Sequence, residues 1–282
     1  MAAIKDLELK SIQYRREILS MIKKAGAGHT AGSLSCIDIL NVLYNHVMDI
    51  TPENFASHHR DHYIQSKGHS VEALYAVLAD KGFYSITDLD TLNQYKSHFV
   101  GHPTRAVNGI EHNTGALGHG LSVAVGIALA FKKDNLPFRV FTLLGDGELE
   151  EGSNWEACMS AAHYHLDNLI AIVDRNRLQI TDYTENVSQL EPLEDKFRAF
   201  GFAVRSVDGN SIPELIDIFY EIPFERGMPN LVMAHTVKGK GISFIENNLA
   251  WHHRTPDNDE FRDALLELDN VELKWKQVYE PW

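Results

Sequence analysis

Asp146 and Asn176 stand thirty positions apart, the first in "GDG" and the second in "DRNRLQI". A carboxylate oxygen and an amide oxygen are hard donors that suit Mg²⁺ or Ca²⁺. The carbonyl of Leu178, just past Asn176, could supply a third oxygen, and a Mg²⁺ ion would leave its other positions to water and substrate phosphates. Taken alone, the pair is as easily a helix cap or a turn. Its setting adds more. "GDGELEEGSNWEA" carries five acids (Asp146, Glu148, Glu150, Glu151 and Glu156) within eleven residues. It lies at a glycine-flanked turn from strand into helix, where free N–H groups normally invite an anion. A cation held by Asp146 would resolve the conflict by turning an acidic turn into a phosphate site. The fifteen histidines are candidates for proton transfer because their ordinary pKa lies near neutrality, although most must serve plain surface or core roles.

The elements that would position these groups follow from the apolar pattern. The runs Arg139–Leu144 and Asn168–Asp174 read as buried strands flanking a helix over 154–165, the βαβ unit of a parallel sheet. Further strands are expected at 202–207 and 230–235, with a helix at 212–222 between them. Upstream, residues 4–24 have helical periodicity, "GAGHTAGS" interrupts, and a second helix runs from about Leu34 to Val47. Another helix starts near Ser70 and stops at Gly82. Residues 85–113 are irregular, and "GLSVAVGIALAFKKD" reads as a buried helix. The expected fold is α/β: a doubly wound, mainly parallel sheet with helices on both faces, residues 1–282 forming one domain with a helical N-terminal part. Ligands of such sheets sit beyond the carboxyl ends of the strands, which is where Asp146 and Asn176 fall.

Composition narrows the classes. A formal net charge of −13 over 282 residues argues against a nucleic-acid binder, which needs a basic face. Cys36 and Cys158 match no metal or redox spacing. "MAAIKDLELK" has no apolar core of signal-peptide length, and Leu121–Phe131 is too short to span a bilayer, so the expectation is a cytoplasmic protein. "GALGHG" and "GAGHTAG" are loose dinucleotide fingerprints without the strand, helix and downstream acid that would give them meaning. "HTVKGKG" reads as a basic turn.

"GDG" followed by about thirty residues and an Asn resembles the cofactor motif shared by thiamine-diphosphate enzymes. The blocks "AGAGHTAGSLSCIDILNVLY", "RDHYIQSKGHSVEALYAVLADKGF", "GHPTR", "TGALGHGLSVAVGIALA", "GDGELEEGSNWEA" and "HTVKGKGISFIEN", then "WHH", resemble the diphosphate-binding domain of transketolase in order. The resemblance implies a thiamine diphosphate cofactor with Mg²⁺ (Ca²⁺ or Mn²⁺ as substitutes), held by Asp146, Asn176 and the Leu178 carbonyl. It makes Gly147 the point of backbone approach to a phosphate and His69 and His252 diphosphate and active-site histidines. Gly115 and Leu117 would line the aminopyrimidine, and Ile180 would pack on the thiazolium. His29 and His102 would bind donor hydroxyls and assist proton transfer, and "HTVKGKG" becomes an active-site loop.

A full-length transketolase is more than twice this length, and the pyrimidine-binding and C-terminal domains have no counterpart here. The expectation is therefore one subunit of a split enzyme of pentose phosphate metabolism. Its partner would carry those domains, two of each chain would assemble, and sugar phosphates would be the substrates; a shortened piece of a longer enzyme is the alternative. Glu151 and Glu156 match carboxylates at the interface between protomers, whereas Glu148 and Glu150 read as solvated first-turn acids. Two positions depart from the family: His119 stands where Gln is common, and His253 follows His252 where Gly is common, leaving either histidine as the active-site one. The competing readings are a relative acting on an unusual sugar, a deoxyxylulose-phosphate synthase or dihydroxyacetone synthase, and an inactive cofactor-binding module.

Overall fold

The computed structural model describes residues 2–279. Five strands form one sheet: β1 (His62–Gln65), β2 (Val140–Gly145), β3 (Leu169–Arg175), β4 (Ala203–Asp208) and β5 (Asn230–His235), in the order β1-β2-β3-β5-β4. Every pairing is parallel. The helices are α1 (Ala2–Ala25), α2 (Thr30–Val42), α3 (Val71–Asp80), α4 (Gly120–Lys133), α5 (Gly152–His163), α6 (Thr184–Val187), α7 (Leu193–Ala199), α8 (Ile212–Tyr220) and α9 (Asn258–Tyr279).

The central strands β2 and β3 are buried along their whole length, and mostly apolar, because both faces are covered. Successive side chains point to opposite faces, so Phe141 and Leu143 of β2 join the core beneath α1, α2 and α3, while Val140 and Leu144 join the core beneath α4 and α5. Ile170 and Ile172 divide from Ala171 and Val173 in the same way on β3. The doubly wound α/β architecture read from the sequence is the one observed. Both cysteines are buried within these cores and unpaired.

Three local differences matter. First, α2 begins at Thr30 rather than Leu34, so the glycine-rich interruption ends at His29 and that histidine becomes the N-cap. Second, β1 has no signature in the apolar pattern, because two of its four buried residues are polar. Third, α9 lies beyond the expected elements and packs on α1, where Arg16 bonds Asp269 (2.8 Å) and Glu272 (2.6 Å). Among the described residues no helix is long and apolar enough to cross a membrane.

Candidate active site

β2 and β3 are neighbours, with Gly145 in register with Asp174, so Asp146 and Asn176 emerge side by side at their carboxyl ends. A cavity of about 470 Å³ opens there. Its walls contain His29, His69, His102, Gly115, Leu117, Asp146, Gly147, Asn176, Leu178, Ile180 and His252, all nominated from the sequence. Lys67, Glu148, Gln179 and Lys238 also line it. Glu151 and Glu156 do not; both are exposed on α5 and its lead-in turn. A second cavity of about 440 Å³, between α1, α9 and residues 240–246, holds none of these groups.

Asp146 is fixed before any ligand arrives. One carboxylate oxygen accepts from the Gly147 N–H (2.8 Å), and the other accepts from the Arg177 N–H and, at 3.3 Å, the Arg175 guanidinium. Burial nonetheless raises its pKa, helped by the nearby Asp174 charge. The Asn176 side-chain oxygen accepts from the Leu178 N–H at 3.1 Å. The Leu178 carbonyl accepts from the Lys238 ammonium at 2.7 Å, and the same ammonium lies 2.9 Å from His252 Nδ1. A protein cation thus occupies the third oxygen proposed for a metal.

Lys238 is itself poised. Burial, then the Lys67 charge, lowers its pKa to about 8. Lys67 behaves oppositely: burial opposes its charge, but the ion pair with Asp174 more than restores it and raises the pKa. Asp174 also accepts from Ser35 Oγ (2.6 Å) and Thr236 Oγ1, so a satisfied buried pair underlies the cavity floor. Desolvating such a pair is costly unless its remaining hydrogen bonds are made, and here they are.

Histidines crowd one wall. The His29 ring lies 5.4 Å from His69, 5.9 Å from His102, 5.6 Å from His252 and 4.6 Å from His253, centroid to centroid. His69 and His252 stack at 5.5 Å. Burial is the main cause of low pKa throughout, and neighbouring cations reinforce it at three of the four. His29 falls to about 4 and His252 to about 3, and His69 and His102 are lowered too. Near pH 7 these rings are neutral, and each can donate from one nitrogen and accept at the other. Such a wall suits hydroxyl groups. His29 Nδ1 is buried without a protein partner. His252 lines the cavity, while His253 is exposed beside His29. His119 is an exposed N-cap of α4 whose Nδ1 meets the Leu117 carbonyl at 3.2 Å.

Gly115 has φ +134, and a Cβ there would come within 2.6 Å of the His102 ring. Only glycine serves both requirements. Glu148 corrects an expectation. It is 2% exposed rather than solvated. Its carboxylate accepts from Gly118 N–H (2.9 Å), Gly145 N–H (2.9 Å) and Ser66 Oγ. It thereby ties the Gly115–Gly118 loop to the Asp146 turn, and burial raises its pKa. Glu150 is exposed as expected, bonded to Gln179.

A doubly wound parallel sheet with an acid–amide pair at adjacent strand ends, a glycine-lined cleft and flanking lysines is an α/β arrangement suited to an anionic ligand. Comparison with known proteins narrows the class. The family described as "Transketolase, thiamine diphosphate binding domain" matches residues 9–268, and the chain belongs to the transketolase family. It is 45% identical over 265 residues to an apulose-4-phosphate transketolase subunit of Phocaeicola vulgatus, covering 94% of each chain. It is 43% identical to the 6-deoxy-6-sulfo-D-fructose transketolase subunit SqwG of a Clostridium species, covering 94% of this chain and 96% of that one. Transketolase from Campylobacter jejuni superposes with a TM-score of 0.82 at 29% identity, covering 98% of this chain but 49% of that one. The chain therefore spans about half the length of that solved transketolase.

Proposed function

We propose that this chain is the diphosphate- and metal-binding subunit of a two-chain, thiamine-diphosphate-dependent transketolase. It would move a two-carbon ketol unit from a ketose donor to an aldose acceptor. The observation that carries the reading is the cavity at the β2 and β3 ends, where an oxygen-donor set and four neutral histidines converge. Relatives matched over nearly their full length are named as subunits, which supports a partner chain with the missing domains. Two of each chain, one functional domain here and a cytoplasmic setting belong to the same reading.

The donor set fits the implied cofactor. Asp146, Asn176 and the Leu178 carbonyl offer the hard oxygens that Mg²⁺ takes, and Gly147, His69 and Lys238 border the space a diphosphate would fill. When bound, thiamine diphosphate would supply the nucleophilic carbon that ketol transfer needs. This chain's residues then have positional and proton-handling tasks. Lys238, bonded here to the Leu178 carbonyl, would turn to the anion. His29, His102 and His252 bind hydroxyls and carry protons between neutral nitrogens. Gly115, Leu117 and Ile180 line the cavity and would hold the cofactor's rings, Ile180 from an exposed position (69%). Glu151 and Glu156, exposed on this chain, are assigned to the interface with the partner.

Two relatives are named for apulose-4-phosphate and 6-deoxy-6-sulfo-D-fructose, which favours a less common sugar as donor or acceptor. The test is co-purification with the partner, then assay on a panel of ketoses with and without thiamine diphosphate. Activity is expected only in the assembled pair with cofactor. Asp146→Ala should reduce cofactor affinity at least tenfold, about 1.4 kcal/mol. Turnover by the isolated chain, or inactivity of the pair on every ketose, would reject the reading.

A further inference from the structure

The start of α2 is anomalous. Helix N-caps are usually Ser, Thr, Asp or Asn, whose side-chain oxygens satisfy N–H groups of the first turn. Here the N-cap is His29, and its side chain makes no capping bond. Its ring is turned instead into the histidine wall. In the reciprocal half of a capping box, a Glu or Gln at the third helical position reaches back to the N-cap N–H. That position is Gly32, where a Cβ would lie 3.5 Å from the His69 ring.

Glu72 supplies what is missing. It sits in the first turn of α3 and is fully buried, at 0% exposure. One carboxylate oxygen accepts from the His29 N–H at 3.2 Å, and the other accepts from Ser33 Oγ at 2.9 Å. Hydrogen bonds rather than an opposite charge hold it. A buried Glu without a cation is rare, but two helix N-termini point their partial positive charge at this one. Gly28 leaves room for it, since a Cβ there would lie 2.8 Å from the carboxylate oxygen and 2.6 Å from Ile22.

We propose that Glu72 is a positioning residue that caps α2 from a neighbouring helix, so that His29 can hold the N-cap position while its ring serves the active site. The catalytic consequence rests on the transketolase reading, but the structural half can be read independently. The experiment uses the two-chain enzyme with thiamine diphosphate and compares wild type, Glu72→Met and Glu72→Gln. Amide hydrogen exchange over residues 27–33, cofactor affinity, and kcat and KM for the ketose are measured.

Glu72→Met fills the space without an acceptor. Exchange at the His29 amide should rise at least tenfold and kcat should fall at least tenfold, with cofactor affinity within threefold of wild type. Glu72→Gln can accept from His29 with its oxygen and donate to Ser33 with its nitrogen, so it should restore both readouts to within threefold. Unchanged exchange in Glu72→Met would overturn the proposal. So would loss of protection throughout α2 and α3 that Glu72→Gln fails to rescue, because that pattern belongs to a general packing role. If the wild-type pair turned over no ketose while the exchange pattern held, the functional reading would fall and the cap would stand.

Discussion

At the scale of single residues, acids placed where water cannot reach them govern the site. Glu148 satisfies two backbone N–H groups and a hydroxyl. Glu148→Ala should strip those donors and cost roughly 3 kcal/mol, since each orphaned buried donor costs about 1–3 kcal/mol. Glu148→Gln should cost less, and urea unfolding would separate the two. Glu72 makes the pH-dependent case. Burial raises its pKa from 4.5 to about 7, so the folded state prefers the protonated form. Its contribution is fully present below pH 4.5 and is lost as pH rises through 7. Glu72→Gln, which carries no charge, should therefore gain about 2–3 kcal/mol relative to wild type between about pH 5 and about pH 8. Unfolding midpoints at the two pH values check it, and parallel shifts would contradict it. Asp146 and Asn176 are legible in the sequence because their spacing matches one strand–helix–strand unit. Glu148 is not, because an acid in a glycine-flanked turn looks solvated until the loop at Gly118 folds over it.

At the scale of elements, periodicity serves well where one face or the whole of a segment is buried, as in α1, β2, β3 and α8. It fails for β1, whose His62 and Gln65 are buried polar residues that make hydrogen bonds, His62 also packing edge-on against Phe131. The start of α2 is hidden because Gly32 and Ser33 look like a break, although both are buried in the helix, Gly32 beside the His69 ring and Ser33 bonded to Glu72. Beyond residue 253 the motifs end, yet Phe261, Leu265, Leu268, Val271 and Trp275 recur at helical spacing and pack on the α1 side of the core. Leu268 is 1% exposed. Leu268→Ala should destabilise the protein by about 2–4 kcal/mol, as measured by urea unfolding. A change below about 0.5 kcal/mol, the range of an ordinary surface substitution, would mean that α9 is dispensable to the core.

At the scale of the whole molecule, the family is readable only through the order of many motifs, since one Asp and one Asn cannot specify it. The substrate is not readable, because this chain's cavity wall offers neutral histidines that suit many sugars alike. Exposed apolar side chains beside the cavity and on α5, including Ile180, Tyr183, Met159 and Tyr164, suit a surface that a partner covers. The two buried cysteines have a practical consequence for observing that event. Burial raises Cys36 to about 11, and Cys158 to about 12, so neither offers appreciable thiolate at neutral pH. Met159→Cys would place a lone reactive thiol on α5, where the present side chain is 62% exposed. Its rate of maleimide labelling, with no other thiol of this chain competing, would report whether a partner covers α5, independently of turnover.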